Sequence, residues 1–241
     1  MFVHGLGGTG ADIWKHQIPG LAADFRVVSY DLRGSGRSEV SPGPYSIGLL
    51  CDDLRALVNA LNLGRVALVA HSMGGSIALT YAARYSGDVS ALVGVGAPAE
   101  FPDQAREGLE TRARTVEAEG MAAVAETVAT NGVSPTFREG DPQGFREFIA
   151  MLEANDPQGY AAQCRALVGL GIANQLAEIR APALLVSGDR DGVSPPAVTE
   201  ANAGRIPGGE FTIVEDCGHL LPWERPAELA GAAWPFLREH A

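Results

Sequence analysis

The chain has 241 residues, 46% of them hydrophobic, and a formal net charge of −11. This length suffices for one sizeable core, and the acidic balance disfavours nucleic acid and anionic membranes as partners. No window holds the roughly 18 uninterrupted apolar residues of a membrane-spanning helix, and the opening MFVHGLGG lacks the pattern of a signal peptide. Because the three cysteines follow neither a zinc nor a disulfide pattern, we expect reduced thiols in the cytoplasm.

Short apolar runs alternate with longer helical segments along the chain. Strands are predicted over 25–30, 65–70, 89–96, 181–188 and 210–216. Helices are predicted near 47–62, 73–86, 195–205 and 225–239. Because the strand candidates are continuously apolar, they fit parallel strands covered on both faces. The alternation therefore predicts an α/β fold with a mostly parallel sheet.

The segment 98–177 interrupts this alternation, since it contains no convincing strand. Residues 104–129 and 143–156 have the pattern of amphipathic helices, and NGVSPTFREGDPQG at 131–144 is predicted to be a loop. We expect an α/β core, 1–97 and 178–241, with a helical cap at 98–177. A cap would cover the strand ends, where open α/β sheets bind ligands; the alternative is extra helices packed on the sheet edge.

The stretch VALVAHSMGG, residues 66–75, places one polar residue between a predicted strand and a predicted helix. Ser72 would occupy a tight turn whose neighbours must be small, and Gly74 and Ala70 meet that need on its two sides. The helix amino terminus would face an anion formed there. This pattern predicts a nucleophilic serine, and the alternative is a buried serine that caps a helix.

A serine nucleophile requires a base that a third group orients. His219, in VEDCGHLLPWERP, follows the last predicted strand and should lie at the same edge of the sheet as Ser72. We predict that His219 is this base, although a surface-loop histidine would have the same local pattern. His71, adjacent to Ser72, is predicted to pack elsewhere.

The acid should come from another strand end, where LLVSGDRDGVSPP offers Asp189 and Asp191. The chain order nucleophile, acid, base favours Asp191. Asp189 could stabilise the turn through its own backbone instead. Asp216 near the base, and Glu100 and Asp103 after the preceding strand, remain alternatives.

The glycine-rich HGLGGTG, residues 4–10, lacks the spacing of a dinucleotide-binding loop. A loop of this kind can instead supply a backbone N–H to an oxyanion. We predict that the N–H groups of Leu6 and Met73 form an oxyanion hole.

Five motifs in order, HGLGGTG, DLRGSGRS, AHSMGG, GDRDGVSPP and CGHLLPWERP, resemble those of the α/β-hydrolase superfamily. The resemblance covers nearly the whole chain. It implies an eight-stranded sheet with a helical cap between the sixth and seventh strands. It also implies that the acid lies in the pattern G-x-x-D-x-x-x-P, which Gly188, Asp191 and Pro195 match.

The segment NDPQGYAAQCRAL, residues 155–167, is similar to the cap of 3-oxoadipate enol-lactonases and their esterase relatives. The resemblance implies a serine hydrolase for a small ester or lactone, without a metal or organic cofactor. Carboxylic ester hydrolysis is the main hypothesis, and 3-oxoadipate enol-lactone hydrolysis is the alternative. Cofactor-free haloperoxidases or perhydrolases, C–C bond hydrolases and small-molecule receptors share this architecture and also remain open.

The chain departs from the superfamily at its start, because only Met1, Phe2 and Val3 precede His4. Relatives begin with an antiparallel strand pair and a full strand that leads into the oxyanion loop. We therefore expect about six strands, with the first strands missing and the edge at 25–30 exposed. An exposed edge is a template for pairing, so a homodimer that covers it is one expectation.

Overall fold

A computed structural model describes residues 1–241, and its six strands form one sheet in which every pairing is parallel. In chain order the strands are β1 Phe2–Val3, β2 Ser29–Tyr30, β3 Val66–His71, β4 Val89–Val95, β5 Ala183–Gly188 and β6 Glu210–Val214. The spatial order is β2-β1-β3-β4-β5-β6. This confirms the predicted mostly parallel sheet of about six strands. The strand predicted over 25–30 is shorter than expected, since β2 contains only its last two residues.

Helices cover both faces of the sheet, which explains why the strands are continuously apolar. The helices before the insertion are α1 Gly10–Ile13, α2 Ile18–Leu21, α3 Ile47–Ala60 and α4 Met73–Arg84. On one face, Leu68 and Leu185 join a core with α3 and α4. On the other face, Val69 and Leu184 join a second core with the carboxyl-terminal helix. Successive strand residues thus point into opposite cores, as the period of a strand requires.

Five helices lie between β4 and β5, within the segment 98–177. They are α5 Asp103–Glu119, α6 Ala122–Gly132, α7 Pro135–Gly140, α8 Pro142–Glu153 and α9 Pro157–Val168. The helix predicted over 104–129 is two helices, because Gly120 between them adopts a φ of +81°. We refer to these five helices as the cap; the division of the chain into core and cap units stays a prediction.

The prediction of a loop at 131–144 is wrong, since α7 and the start of α8 occupy it. Pro135 and Pro142 each stand at the first position of a helix, where a missing N–H costs nothing. Ser134 and Asp141 precede them and accept hydrogen bonds from N–H groups of the first turn. Proline here begins a helix, although the sequence reading treated it as a breaker.

The cap packs against the core where α9 contacts the loop at 31–38. A Cβ atom added to Gly159 would lie 2.2 Å from the Gly34 carbonyl oxygen, so the two backbones touch. The Gln163 side chain, one turn later, donates hydrogen bonds of 2.8 Å to the Arg33 carbonyl and to the Ser35 hydroxyl. The last cap helix is thereby held directly on the core.

The chain ends with α10 Pro196–Arg205, α11 Leu221–Glu224 and α12 Pro226–His240. At the sheet edges, β2 pairs only with β1 and β6 pairs only with β5. A homodimer over the β2 edge stays a prediction. None of the helices has the length and apolar character needed to cross a membrane.

Candidate active site

Ser72 lies in a strained turn between β3 and α4. Its φ of 55° and ψ of −121° place a non-glycine residue in a sparsely populated backbone region. The turn is held by a 2.8 Å hydrogen bond from the Ser72 N–H to the Val95 carbonyl oxygen. A Cβ on Gly74 would lie 2.4 Å from the Val3 and His4 carbonyl oxygens, so this position requires glycine. The turn lifts the Ser72 hydroxyl above the carboxyl ends of the strands.

His219 stands between Ser72 and Asp191, in the loop after β6. Its Nε2 lies 2.8 Å from the Ser72 Oγ, and its Nδ1 lies 2.8 Å from the Asp191 Oδ2. The carboxylate accepts the Nδ1–H, which leaves Nε2 free to accept the serine hydroxyl proton. The structure thus joins by hydrogen bonds the three side chains that the sequence singled out.

Asp191, after β5, is buried, and both of its carboxylate oxygens accept hydrogen bonds. Its Oδ1 accepts the N–H groups of Val193 and Ser194, each at 2.8 Å. Burial alone raises the pKa of Asp191, but the attraction of His219 and these hydrogen bonds outweigh it, so the pKa lies below its usual value. The carboxylate is therefore charged and fixed in orientation.

The other candidate acids have different partners. Asp189 accepts a 3.0 Å hydrogen bond from the Cys217 N–H and so connects the loops after β5 and β6. Asp216 forms ion pairs with Arg190 and Arg225 at 2.8 Å. Glu100 and Asp103 stand at the entrance to the cap, where Glu100 pairs with Arg205. None of the four contacts the His219 imidazole by a hydrogen bond.

The loop at 4–10 lies directly against Ser72. A Cβ on Gly5 would be 2.8 Å from the Ser72 Cβ, so only glycine permits this approach. The Leu6 N–H, next along the loop, donates no hydrogen bond within the protein. Met73 is the first residue of α4, and its N–H therefore has no acceptor within the helix. Both N–H groups that are predicted to form the oxyanion hole therefore remain available for a ligand oxygen, and both lie next to Ser72.

Two buried histidines support these loops. The His71 Nε2–H donates to the His219 carbonyl at 2.9 Å, a contact that the sequence reading of His71 as a packing residue missed. His4 donates from Nδ1 to the Gly5 carbonyl and accepts the Leu32 N–H at Nε2, each at 2.8 Å. Burial lowers the pKa of His4 to about 4 and that of His71 to about 3, so both imidazoles are neutral.

Glu224 is a further residue that the sequence analysis missed. Its buried carboxylate accepts the Gly218 N–H at 3.0 Å and the Ser134 N–H at 2.9 Å. Gly218 precedes His219, and Ser134 belongs to the cap. One side chain therefore connects the loop of the imidazole to the cap. The feature of the sequence that could have indicated Glu224 was a charged residue directly after the apolar run LLPW.

Gly96, directly after β4, was missed as well. It adopts a φ of +54°, and a Cβ there would lie 2.9 Å from the His219 Nδ1 and 3.0 Å from the Asp191 Oδ2. A side chain at residue 96 would therefore press against the hydrogen bond between His219 and Asp191. A glycine after a strand was the available signal.

A cavity of about 470 Å³ lies between the cap and the strand ends. Ser72 and His219 form part of its wall. The apolar lining includes Leu6, Leu109, Phe148, Leu152, Val193 and Leu220. No group of three or more histidine, cysteine or acidic side chains in the chain is arranged to hold a metal ion. The cavity can accommodate a small, mostly apolar molecule next to the serine hydroxyl.

Comparisons with known proteins agree with this architecture. 3-oxoadipate enol-lactonase 1 of Acinetobacter baylyi is 29% identical over 219 residues, which cover 91% of this chain and 81% of that protein. The thermophilic esterase from Thermogutta terrifontis has a TM-score of 0.93 at 31% identity, over 100% of this chain and 89% of that one. The enol-lactonase from Burkholderia xenovorans LB400 has a TM-score of 0.94 at 29% identity, over 98% and 90%.

The chain also matches a protein family. Residues 1–226 match the family described as alpha/beta hydrolase fold, which is nearly the whole chain. The chain therefore belongs to the alpha/beta hydrolase fold family.

Proposed function

We propose that this protein is a serine hydrolase that cleaves carboxylic esters through a covalent acyl-enzyme. The observation that carries the proposal is the unbroken pair of 2.8 Å contacts from Ser72 through His219 to Asp191. Such a chain makes a weakly nucleophilic hydroxyl reactive, because the base accepts its proton as the oxygen attacks. The strained turn and the adjoining cavity place that hydroxyl where a substrate can reach it.

The first half of the reaction forms the acyl-enzyme. The Ser72 Oγ attacks the ester carbonyl carbon as its proton moves to the His219 Nε2. The carbonyl oxygen becomes an oxyanion, which the N–H groups of Leu6 and Met73 stabilise. When the bond to the alcohol breaks, His219 returns the proton to the departing oxygen. Asp191 holds the imidazole in the required tautomer and stabilises its charged form.

The second half regenerates the enzyme. Water takes the place of the alcohol, and His219 removes one of its protons as the water oxygen attacks the acyl carbon. Collapse of the second tetrahedral intermediate releases the carboxylic acid and returns the proton to the Ser72 Oγ. Each group ends in its starting protonation state, so the cycle consumes one water per ester.

A lactone is an ester whose alcohol remains attached to the acyl group, so the same steps would open it. The relatives support both possibilities, since an esterase and two enol-lactonases match at similar identity. Hydrolysis of 3-oxoadipate enol-lactone is therefore the second candidate function. A panel of p-nitrophenyl esters, aromatic esters and lactones, compared by kcat/KM, would rank the two.

The test of the proposal is the Ser72→Ala variant. We expect kcat to fall by about 10⁴ to 10⁶, because members of such a triad act as one unit. Ser90→Ala, on β4 away from the cavity, is the matched control and should retain the activity of the parent. A fluorophosphonate probe should label Ser72 in the parent and in the control. Ester hydrolysis that survives in Ser72→Ala would refute the mechanism.

A further inference from the structure

The cavity beside Ser72 is lined by the acidic side chain of Glu100 and the basic side chain of Arg112. Only Glu100 has a partner of opposite charge. Glu100 forms an ion pair with Arg205, with 3.3 Å between Oε1 and Nη1. Arg112, on α5, forms no ion pair, and the side chain that it approaches is the neutral Tyr160 hydroxyl. The cavity therefore carries one unopposed positive charge on a half-buried side chain.

The neighbouring arginines show that this lack of a partner is specific to Arg112. On the same helix, Arg106 donates to three backbone carbonyl groups. Arg114 pairs with Glu110 at 3.4 Å, four residues earlier. Arg112 alone among the three faces the cavity. A cation taken partly out of water without a partner is unfavourable, so an anionic ligand would gain by binding there.

A second polar group lies beside Arg112. The Tyr160 hydroxyl is buried, lines the same cavity and has no acceptor for its proton. Burial raises the pKa of this hydroxyl, and the charge of the Arg112 guanidinium and its contact with the hydroxyl oxygen offset part of the rise. The Tyr160 ring contacts the loop beside Ser72, since a Cβ on Gly7 would lie 3.1 Å from its Cε2. This hydroxyl thus lies between the loop at 4–10 and Arg112.

We propose that Arg112 and Tyr160 bind a carboxylate of the substrate, at a distance from the carbonyl that Ser72 attacks. The preferred substrates are then esters or lactones that carry a free carboxylate, such as monoesters of short dicarboxylic acids. The guanidinium suits this ligand because its donors match a carboxylate in a two-point contact, and the hydroxyl adds a third donor. The substrate preference rests on the proposed ester hydrolysis. The binding of a carboxylate by Arg112 and Tyr160 does not depend on hydrolysis.

Two esters of matched length test the proposal: p-nitrophenyl valerate and mono-p-nitrophenyl glutarate, which differ by a terminal methyl against a carboxylate. We expect the parent to prefer the glutarate ester. Arg112→Gln should lower kcat/KM for that ester by about 10- to 100-fold, mainly through KM, as expected for the loss of a charge-assisted contact. Valerate hydrolysis should change less than about twofold. Ser72→Ala provides the blank for spontaneous hydrolysis.

Arg114→Gln is the matched control, because this arginine lies on the same helix but points to solvent. It should leave both esters unaffected. Equal losses for the two esters in Arg112→Gln, or a parent that prefers valerate, would overturn the carboxylate site while leaving ester hydrolysis intact.

Ligand binding without turnover separates the two proposals. Free glutarate should raise the Tm of the parent more than glutaramide does, which has the same length but no carboxylate, because a ligand stabilises the folded state that binds it. The increase should disappear in Arg112→Gln and persist in Arg114→Gln. An equal Tm increase for both compounds would refute the carboxylate site even if no ester were hydrolysed.

Discussion

Glu224→Gln should destabilise the protein although it removes only a charge. The carboxylate accepts N–H groups from two segments, Gly218 at 3.0 Å and Ser134 at 2.9 Å. Both bonds end on the same oxygen, Oε2, and the Gly218 N–H also lies 3.1 Å from Oε1. A glutamine with its amide oxygen at the Oε2 position keeps both bonds without their charge, and its NH₂ group then faces the Gly218 N–H. Hydrogen bonds to charged groups contribute about 1.5 to 3 kcal/mol and neutral ones about 0.5 to 1.5 kcal/mol, so each bond loses about 1 kcal/mol. We expect the free energy of unfolding to fall by about 1 to 3 kcal/mol.

The assay is urea denaturation at pH 7.5, with kcat measured on the same samples. The loop that carries His219 would lose one of its anchors, and a shift of about 1 Å in a catalytic group can lower the rate by roughly 100-fold. Glu228→Gln, an exposed acid on α12, is the matched control and should stay within about 0.5 kcal/mol of the parent. If Glu224→Gln also stays within about 0.5 kcal/mol, the carboxylate does not hold the two segments together.

Three further predictions concern the same region. Asp191→Asn should lower kcat by about 10⁴ through the wrong imidazole tautomer, whereas Asp189→Asn should cost far less; the reverse order in steady-state kinetics would reassign the acid. Gly96→Ala should lower kcat with little change in KM, because the new Cβ would lie 2.9 to 3.0 Å from the imidazole and the carboxylate. Residue 96 also has a φ of +54°, which strains any side chain, and an unchanged kcat would contradict this prediction. His4 and His71 have folded pKa values of about 4 and about 3, below the ordinary 6.5, so the unfolded state binds more protons below pH 6.5. Stability should therefore fall by about 4 kcal/mol between pH 7.5 and 5, and a constant urea midpoint over this range would show that the two imidazoles are not buried and neutral.

The parts of the fold that the sequence predicted well are those with local causes. Continuous apolar runs and helical periodicity located the strands and helices of the core, because burial on both faces acts on each element separately. The turn at Ser72 was visible because small residues must flank it within two positions. The choice of Asp191 over Asp189 came from the resemblance to the α/β-hydrolase superfamily, whose pattern G-x-x-D-x-x-x-P contains Asp191, and the hydrogen bond to His219 agrees with that choice.

The parts that the sequence did not predict depend on distant partners or on ambiguous residue types. Glu224 acts on Ser134, which lies 90 positions earlier, and no local pattern contains that contact. Gly96 is constrained by side chains from two other loops. Pro135 and Pro142 can either end a helix or begin one, and only the preceding Ser134 and Asp141 distinguish the two cases. The roles of the triad and of the oxyanion donors stay predictions until they are measured.

The contact between Gly34 and Gly159 bears on how such enzymes can be recombined. A cap is often imagined as a module that can be exchanged between relatives by cutting the chain at its two junctions. Here the backbones of α9 and the loop at 31–38 touch, and a side chain at Gly159 would collide with the Gly34 carbonyl oxygen. A chimera joined only near residues 98 and 177 would bring together a foreign helix and an unmatched loop. Residues 31–38 therefore belong to the transferable unit, although more than 60 positions separate them from the cap in the chain.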